Sequence, residues 1–132
     1  MSNANVTLIQ SLYAAFGRGD IATIVGAMSP DIVWTLHGQP GDHPAFGVFK
    51  TPQGVQKFFG IIGDTQTASD FSPKEFYVVD DKVFVLGHYA WTMKKTGRSM
   101  ASDWVHIFTV KGGKVAKFDE FNDTAQFAAA LR

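Results

Sequence analysis

From Val6 the apolar positions fall at Val6, Ile9, Leu12, Tyr13 and Phe16, the spacing of a helix with one buried face. Gly17 and Gly19 end it, because glycine accepts the left-handed backbone found just past a helix. Asp20 then predicts the N-cap of a second helix, with Ile21, Ile24, Val25 and Met28 inward and Ser29-Pro30 as its stop. "DIVWTLH" (31–37) is rich in β-branched and aromatic residues and predicts a strand. A long loop, "GQPGDHPAFGVFKT", follows. Thr51 with Pro52 reads as an N-cap and a first-turn proline, opening a third helix whose stripe is Val55, Phe58, Phe59 and Ile62.

After Pro73 the period changes to two. Strands are predicted at about 74–80, 83–94, 99–110 and 114–121, separated by turns at Asp80-Asp81, "KKTGR" and "KGGK". A short helix closes the chain from Thr124. Helix, helix, strand, helix and a meander of strands is an α+β order. The expected architecture is a single domain, residues 1–132, with helices covering one face of a curved antiparallel sheet. Such a sheet wraps into a cone, and the open end of a cone is a natural pocket.

Composition narrows the function. Of 132 residues, 45% are apolar and 18% charged, and the formal net charge is zero. With the basic residues scattered, neither a nucleic-acid nor an anionic-membrane partner is expected. Twelve Phe and three Trp suit a dense core, a ligand cavity or a subunit interface. The absence of Cys excludes disulfides, thiolate metal sites and a Cys nucleophile. The N-terminus lacks the pattern of a signal peptide, and no apolar run is long enough for a membrane span. A cytoplasmic protein is the expectation.

The candidate chemistry lies on the strands. Side chains alternate across a strand, and the turns set the register between neighbours. A turn centred on Thr96-Gly97-Arg98 places His88 opposite or nearly opposite His106, and a turn at Lys111–Lys114 places Trp104 near Glu120 and His106 near Phe118. One face then carries Leu86, His88, Trp104, His106, Phe108, Phe118 and Glu120. Desolvation among these aromatics is expected to raise the pKa of Glu120 and suit it to acid–base work. The plainer alternative is a strand-end carboxylate that reaches water. His106 and His88 are candidate acid–base or ligand-contacting groups, or half-buried histidines satisfied by a Tyr or the backbone. Two His and a carboxylate also match a facial metal triad, but nothing like HExxH accompanies them, and no metal or cofactor is expected.

Asp123 begins "DTAQF", a capping-box arrangement, and Asp119 is of the outward parity. Trp34, His37, His43 and Phe46 flank the long loop, which is expected to rim the cavity, and Tyr13 on the inner stripe of the first helix is a pocket donor or a core residue. His43, before Pro44, is expected to be exposed. The opposite face of the second long strand, with Tyr89 and Trp91, together with Phe121, is a candidate interface.

Four stretches in order — "LYAAFGRGDIATIVGAMSPDIVW", "HPAFGVFKTPQGVQKFF", "DDKVFVLGHYAWTMKKTGR" and "HIFTVKGGKVAKFDEFNDTAQFAAAL" — resemble the SnoaL-like, ketosteroid isomerase-like branch of the nuclear transport factor 2-like superfamily. The resemblance covers nearly the whole chain. It implies a cone-shaped α+β barrel, a homodimer and a deep apolar pocket. Ketosteroid isomerases carry an Asp base where this chain has Leu36, beside His37. Their oxyanion hole pairs a Tyr, at the position of Leu12 next to Tyr13, with a protonated Asp, at the position of His106. Limonene epoxide hydrolases carry a catalytic Asp at the position of Glu120, an Arg and Asp near His88 and Ala90, and a Tyr and Asn near Trp34 and Leu36. SnoaL-like cyclases use an acidic base in the pocket, a role open to Glu120.

The resulting expectation is a cofactor-free enzyme (an isomerase, cyclase or epoxide hydrolase) acting on a small hydrophobic molecule. Glu120 is its base, His106 and His88 assist, and Trp34, Leu36, His37, Tyr13, Phe46, Trp104, Phe108 and Phe118 bind substrate. The alternative is a non-catalytic module that binds a small hydrophobic ligand.

Overall fold

The structure is a computed structural model and describes residues 3–132. Its elements are α1 (Ala4–Gly17), α2 (Ile21–Gly26), β1 (Met28–Leu36), β2 (Gly47–Lys50), α3 (Thr51–Thr65), β3 (Gln66–Val79), β4 (Lys82–Met93), β5 (Ser99–Lys111), β6 (Lys114–Asn122) and α4 (Thr124–Ala130). The α+β class and the packing of helices against the sheet are as expected from the sequence. The six strands lie in the order β2-β1-β6-β5-β4-β3, with β2 and β3 as free edges. The sheet is therefore open, and it is mixed rather than wholly antiparallel, since β1 and β6 run parallel.

Local chemistry explains most boundaries. Asp20 Oδ1 accepts the Thr23 N–H at 3.2 Å and opens α2, and Asp123 Oδ1 accepts the Gln126 N–H at 3.4 Å and opens α4. The Asp123 N–H donates to Ser102 Oγ at 2.9 Å, so Ser102 completes that cap. α3 starts at Thr51, whose Oγ1 accepts the Gly54 N–H at 3.3 Å even though its φ of +66° is unusual for a β-branched residue.

Three boundaries differ from the expectation. α2 ends at Gly26, and Met28, Ser29 and Pro30 belong to β1, whose register against β6 slips between Met28 and Val33. The long loop contains the short edge strand β2, paired with β1. β3 begins at Gln66, well before Pro73. As an edge strand it pairs on one side, so it tolerates polar, exposed residues and a proline at a register shift.

The core lies between the helices and the concave face of the sheet. Ile9, Leu12, Val55 and Phe58 from the helices meet Trp34, Val85, Trp104 and Phe118 from the strands. Among the described residues no helix is long and apolar enough to cross a membrane.

Candidate functional site

The concave face of the sheet and the helices enclose a narrow cavity of about 70 Å³. Its walls are mostly apolar, from residues such as Leu36, Phe58, Phe71, Phe108 and Phe127. Its polar lining comes from Tyr13, Tyr89, His106 and Glu120 on one side, with His43 and Gln66 as a second polar pair. A groove of about 540 Å³ adjoins it, and Tyr13, Phe59, Gln66, Phe71 and Trp91 border both spaces. The groove runs between α1, α3 and β3, with these side chains as the wall it shares with the cavity.

Glu120 is the centre of the first polar group. It is 8% exposed, and its Cα register partner on β5 is His106. His106 Nε2 lies 2.8 Å from Glu120 Oε1. Glu120 Oε2 accepts the Tyr89 O–H at 2.9 Å and an Asn122 amide N–H at 2.8 Å. On the far side of the imidazole, Nδ1 lies 2.7 Å from the Tyr13 hydroxyl. Burial by itself pushes the carboxyl pKa up. The charge and hydrogen bond of His106, with the hydrogen bonds from Asn122 and Tyr89, outweigh it, and the net shift is downward. Glu120 is thus held ionised, opposite to the raised value expected from its aromatic surroundings.

An ionised Glu120 accepts from His106 Nε2–H. Tyr13 Oη and His106 Nδ1 share a single hydrogen bond, and whichever of them donates it, the other accepts. Burial raises the Tyr13 and Tyr89 phenols far above their ordinary range, and the negative charge of Glu120 adds to both shifts, so both hydroxyls stay protonated donors. Glu120 Oε1 carries one protein hydrogen bond among the described residues and retains lone-pair capacity for a further donor.

The residues predicted from sequence divide into three groups. Glu120, His106, Tyr13, Leu36 and Phe108 line the cavity. Trp34, Phe46, Trp104 and Phe118 are buried behind its lining. Trp104 stacks on His106 at 3.9 Å between ring centroids, and Trp34 stacks on Phe118 at 3.8 Å. His88 and His37 are elsewhere. His88 lies on the convex face and pairs with Asp103 at 2.8 Å, so it does not join His106, and the two-His, one-carboxylate set is not assembled. His37 pairs with Asp119 at 2.8 Å and stacks on Phe121, outside the cavity.

The turn between β4 and β5 is the reason for the His88 error. Met93 and Arg98 pair across a four-residue loop, 94–97, with the Met93 N–H on the Arg98 carbonyl at 2.8 Å. An even-numbered loop in place of the expected three-residue turn moves every β4 residue to the other parity. Val85 faces His106, and Tyr89 and Trp91 point into the molecule rather than forming an outer interface. Tyr89 was therefore missed as a site residue; Asn122 and Gln66 were missed independently of that turn. A cue lay in the residues themselves: the parity of Tyr89 (Val83, Val85, Gly87, Trp91, Met93) carries no charged side chain, whereas the parity of His88 includes Lys82 and Thr92.

His43 also departs from expectation, being 2% exposed. Its Nδ1 accepts the Ala45 N–H at 2.9 Å, and its Nε2 lies 2.7 Å from Gln66 Oε1. Burial lowers its pKa against the smaller opposing effects of Gln66 and Glu120, so it is held neutral.

Comparison with known proteins places this geometry in a family. The family model for a SnoaL-like domain matches residues 9–118. The uncharacterized protein Rv0034 of Mycobacterium tuberculosis is 28% identical over 122 residues, covering 90% of this chain and 88% of that protein. A crystal structure of an NTF2-like protein from Burkholderia xenovorans superposes with a TM-score of 0.89 at 27% identity, covering 100% of this chain and 98% of the other. TerC co-crystallised with polyporic acid superposes with a TM-score of 0.86 at 25% identity, covering 98% of both chains. The concave sheet, the cavity between it and the helices, and these matches lead to one conclusion: the chain belongs to the SnoaL-like domain family, on the nuclear transport factor 2-like fold.

Proposed function

We propose that this protein is a small-molecule enzyme performing cofactor-free isomerisation or cyclisation by acid–base chemistry. The supporting observation is the continuous hydrogen-bonded line Tyr13–His106–Glu120, with steps of 2.7 and 2.8 Å, bordering an apolar cavity. In this reading Glu120 Oε1 takes a proton from carbon next to a carbonyl. The electron pair of the C–H bond moves onto the carbonyl oxygen, giving an enolate, and Tyr13 O–H donates to that oxygen. Glu120 returns the proton to a different carbon as the carbonyl reforms, or the enolate carbon attacks a second carbonyl, closing a ring and leaving an alkoxide that takes the proton back from Glu120. The role of Tyr13 requires His106 to donate from both ring nitrogens, Nε2–H to Glu120 and Nδ1–H to the Tyr13 oxygen, which leaves the Tyr13 proton free for the substrate. Donors aimed at developing charge in a site shielded from water act more strongly than in solution. TerC, with its bound polyporic acid, supports a small organic ligand for the cavity.

A ketone, epoxide and lactone panel with Glu120→Gln is the test. Loss of turnover by about 10²–10⁴-fold with ligand binding retained is the expected result. Wild-type turnover of none of the panel, with binding indifferent to Glu120→Gln, would overturn the enzyme in favour of a binding module. The assembly proposed is a homodimer through the convex sheet face, where Phe121 is 46% exposed and carries the His37 ring stacked at 4.2 Å.

A further inference from the structure

We propose that Gln66 is a ligand-recognition residue whose side-chain NH2, oriented by His43, binds a carbonyl oxygen of an apolar ligand in the cavity. The inference rests on the reading of the cavity as the ligand site and adds a requirement on what enters it.

The orientation follows from donors and acceptors alone. The Ala45 N–H can only donate, so His43 Nδ1, 2.9 Å away, must be the unprotonated nitrogen. A neutral imidazole then carries its proton on Nε2 and needs an acceptor there. The Gln66 atom 2.7 Å from Nε2 is therefore the amide oxygen, and the NH2 is directed away from His43. That NH2 has no hydrogen-bond partner among the described residues, yet Gln66 is buried and borders both the cavity and the groove. It is also absent from the buried polar atoms sealed off from any partner, so it retains accessible surface at this junction. The backbone is fixed as well: the Gln66 N–H caps α3 on the Ile62 carbonyl, and the residue opens β3. His43 is itself wedged between Phe46 and Phe127, each with its ring centroid 5.2 Å away.

A buried amide donor without a protein partner favours a ligand that brings an acceptor. Glu120 supplies an acceptor and Gln66 a donor, with apolar wall between. The matching ligand class is an apolar carbonyl compound, and one with a second oxygen can engage Tyr13 and Gln66 together. His43 is a positioning residue, acting through the amide it orients.

Acetophenone and ethylbenzene, which differ at a carbonyl, make a matched pair of probes. Dissociation constants come from amide-shift titrations of the wild type, Gln66→Met and His43→Phe, with the Gln66 side-chain NH2 signals followed directly. Acetophenone is expected to move those NH2 signals and to bind Gln66→Met about tenfold more weakly. Ethylbenzene is expected to bind all three proteins alike. His43→Phe should lose part of the preference for acetophenone while keeping its affinity for ethylbenzene, a difference that general loosening of the fold would not produce. Equal acetophenone affinity in wild type and Gln66→Met, or unmoved NH2 signals on saturation, would overturn the Gln66 assignment and leave the cavity reading standing. If neither probe perturbs signals of cavity-lining residues such as Leu36 and Phe108, the cavity reading fails and the Gln66 assignment with it.

Discussion

Glu120 sits where burial and hydrogen bonding oppose each other, and hydrogen bonding wins. A carboxylate with three donors is a weak but persistent base, which suits an acidic carbon next to a carbonyl. Its lowered pKa has a definite sign. The stabilisation it adds is present above the ordinary value of 4.5 and is lost as the pH falls through the lower folded value. The acid limb of the pH–rate profile is accordingly expected below 4.5, and an acid limb above that value would contradict an ionised Glu120 as the base. His43 has the same sign in a higher window. Its folded pKa is depressed below 6.5, so the unfolded chain takes up the proton first. Stability should decline as the pH falls below 6.5, and His43→Phe should remove that part of the decline. Melting temperatures measured from pH 7.5 to 5 in both proteins check this.

Two irregularities in the strands assemble the site. Gly112 and Gly113 both have positive φ, and they close β5 and β6 in a tight turn pairing Lys111 with Lys114. Continued without interruption, that register would set His106 against Asp119 and turn Glu120 outward. A bulge at Ala116 intervenes between the Val110–Val115 and Thr109–Lys117 pairs, and it brings Glu120 opposite His106. The second feature is Gly87. A Cβ there would lie 2.2 Å from Trp104, so the missing side chain is what lets the indole lie over the strand and stack on His106. Gly87→Ala is expected to cost about 1–3 kcal/mol by overpacking and to disturb the Trp104–His106 stack. Thermal unfolding and tryptophan emission would register both effects, and an unchanged melting temperature would show that the ring relaxes freely.

For the whole molecule, the two faces of the sheet have separate work. The concave face carries the cavity. The convex face carries His37, His88, Asp103, Asp119 and Phe121, whose polar groups pair with one another rather than with the site. Phe121→Asp is expected to shift a homodimer toward monomer in sedimentation equilibrium while ethylbenzene binding at the cavity is retained. A wild-type monomer would remove the proposed assembly, and a variant that remained dimeric would remove Phe121 from its interface.

Much was legible in the chain itself. Helical spacing, the Asp20 and Asp123 caps, Pro52 at the start of α3 and the period-two strands after Pro73 sufficed for an α+β sheet with helices on one side. These signals are local, because a cap or a repeat is decided by residues a few positions apart. The resemblance to SnoaL-like proteins rested on the order of such segments. The parity of β4 was misread because Phe84, Leu86 and Ala90 make its outer face partly apolar, and a one-residue change in the 94–97 turn exchanges the two faces. Not legible were the β1–β6 parallel pairing, which joins segments some eighty residues apart, and the burial of His43, whose partner Gln66 lies beyond a helix. The sequence determined which residues could do chemistry. Tertiary structure alone decided which of them meet, since a bulge at Ala116 and an even-numbered turn set which side chains share a face.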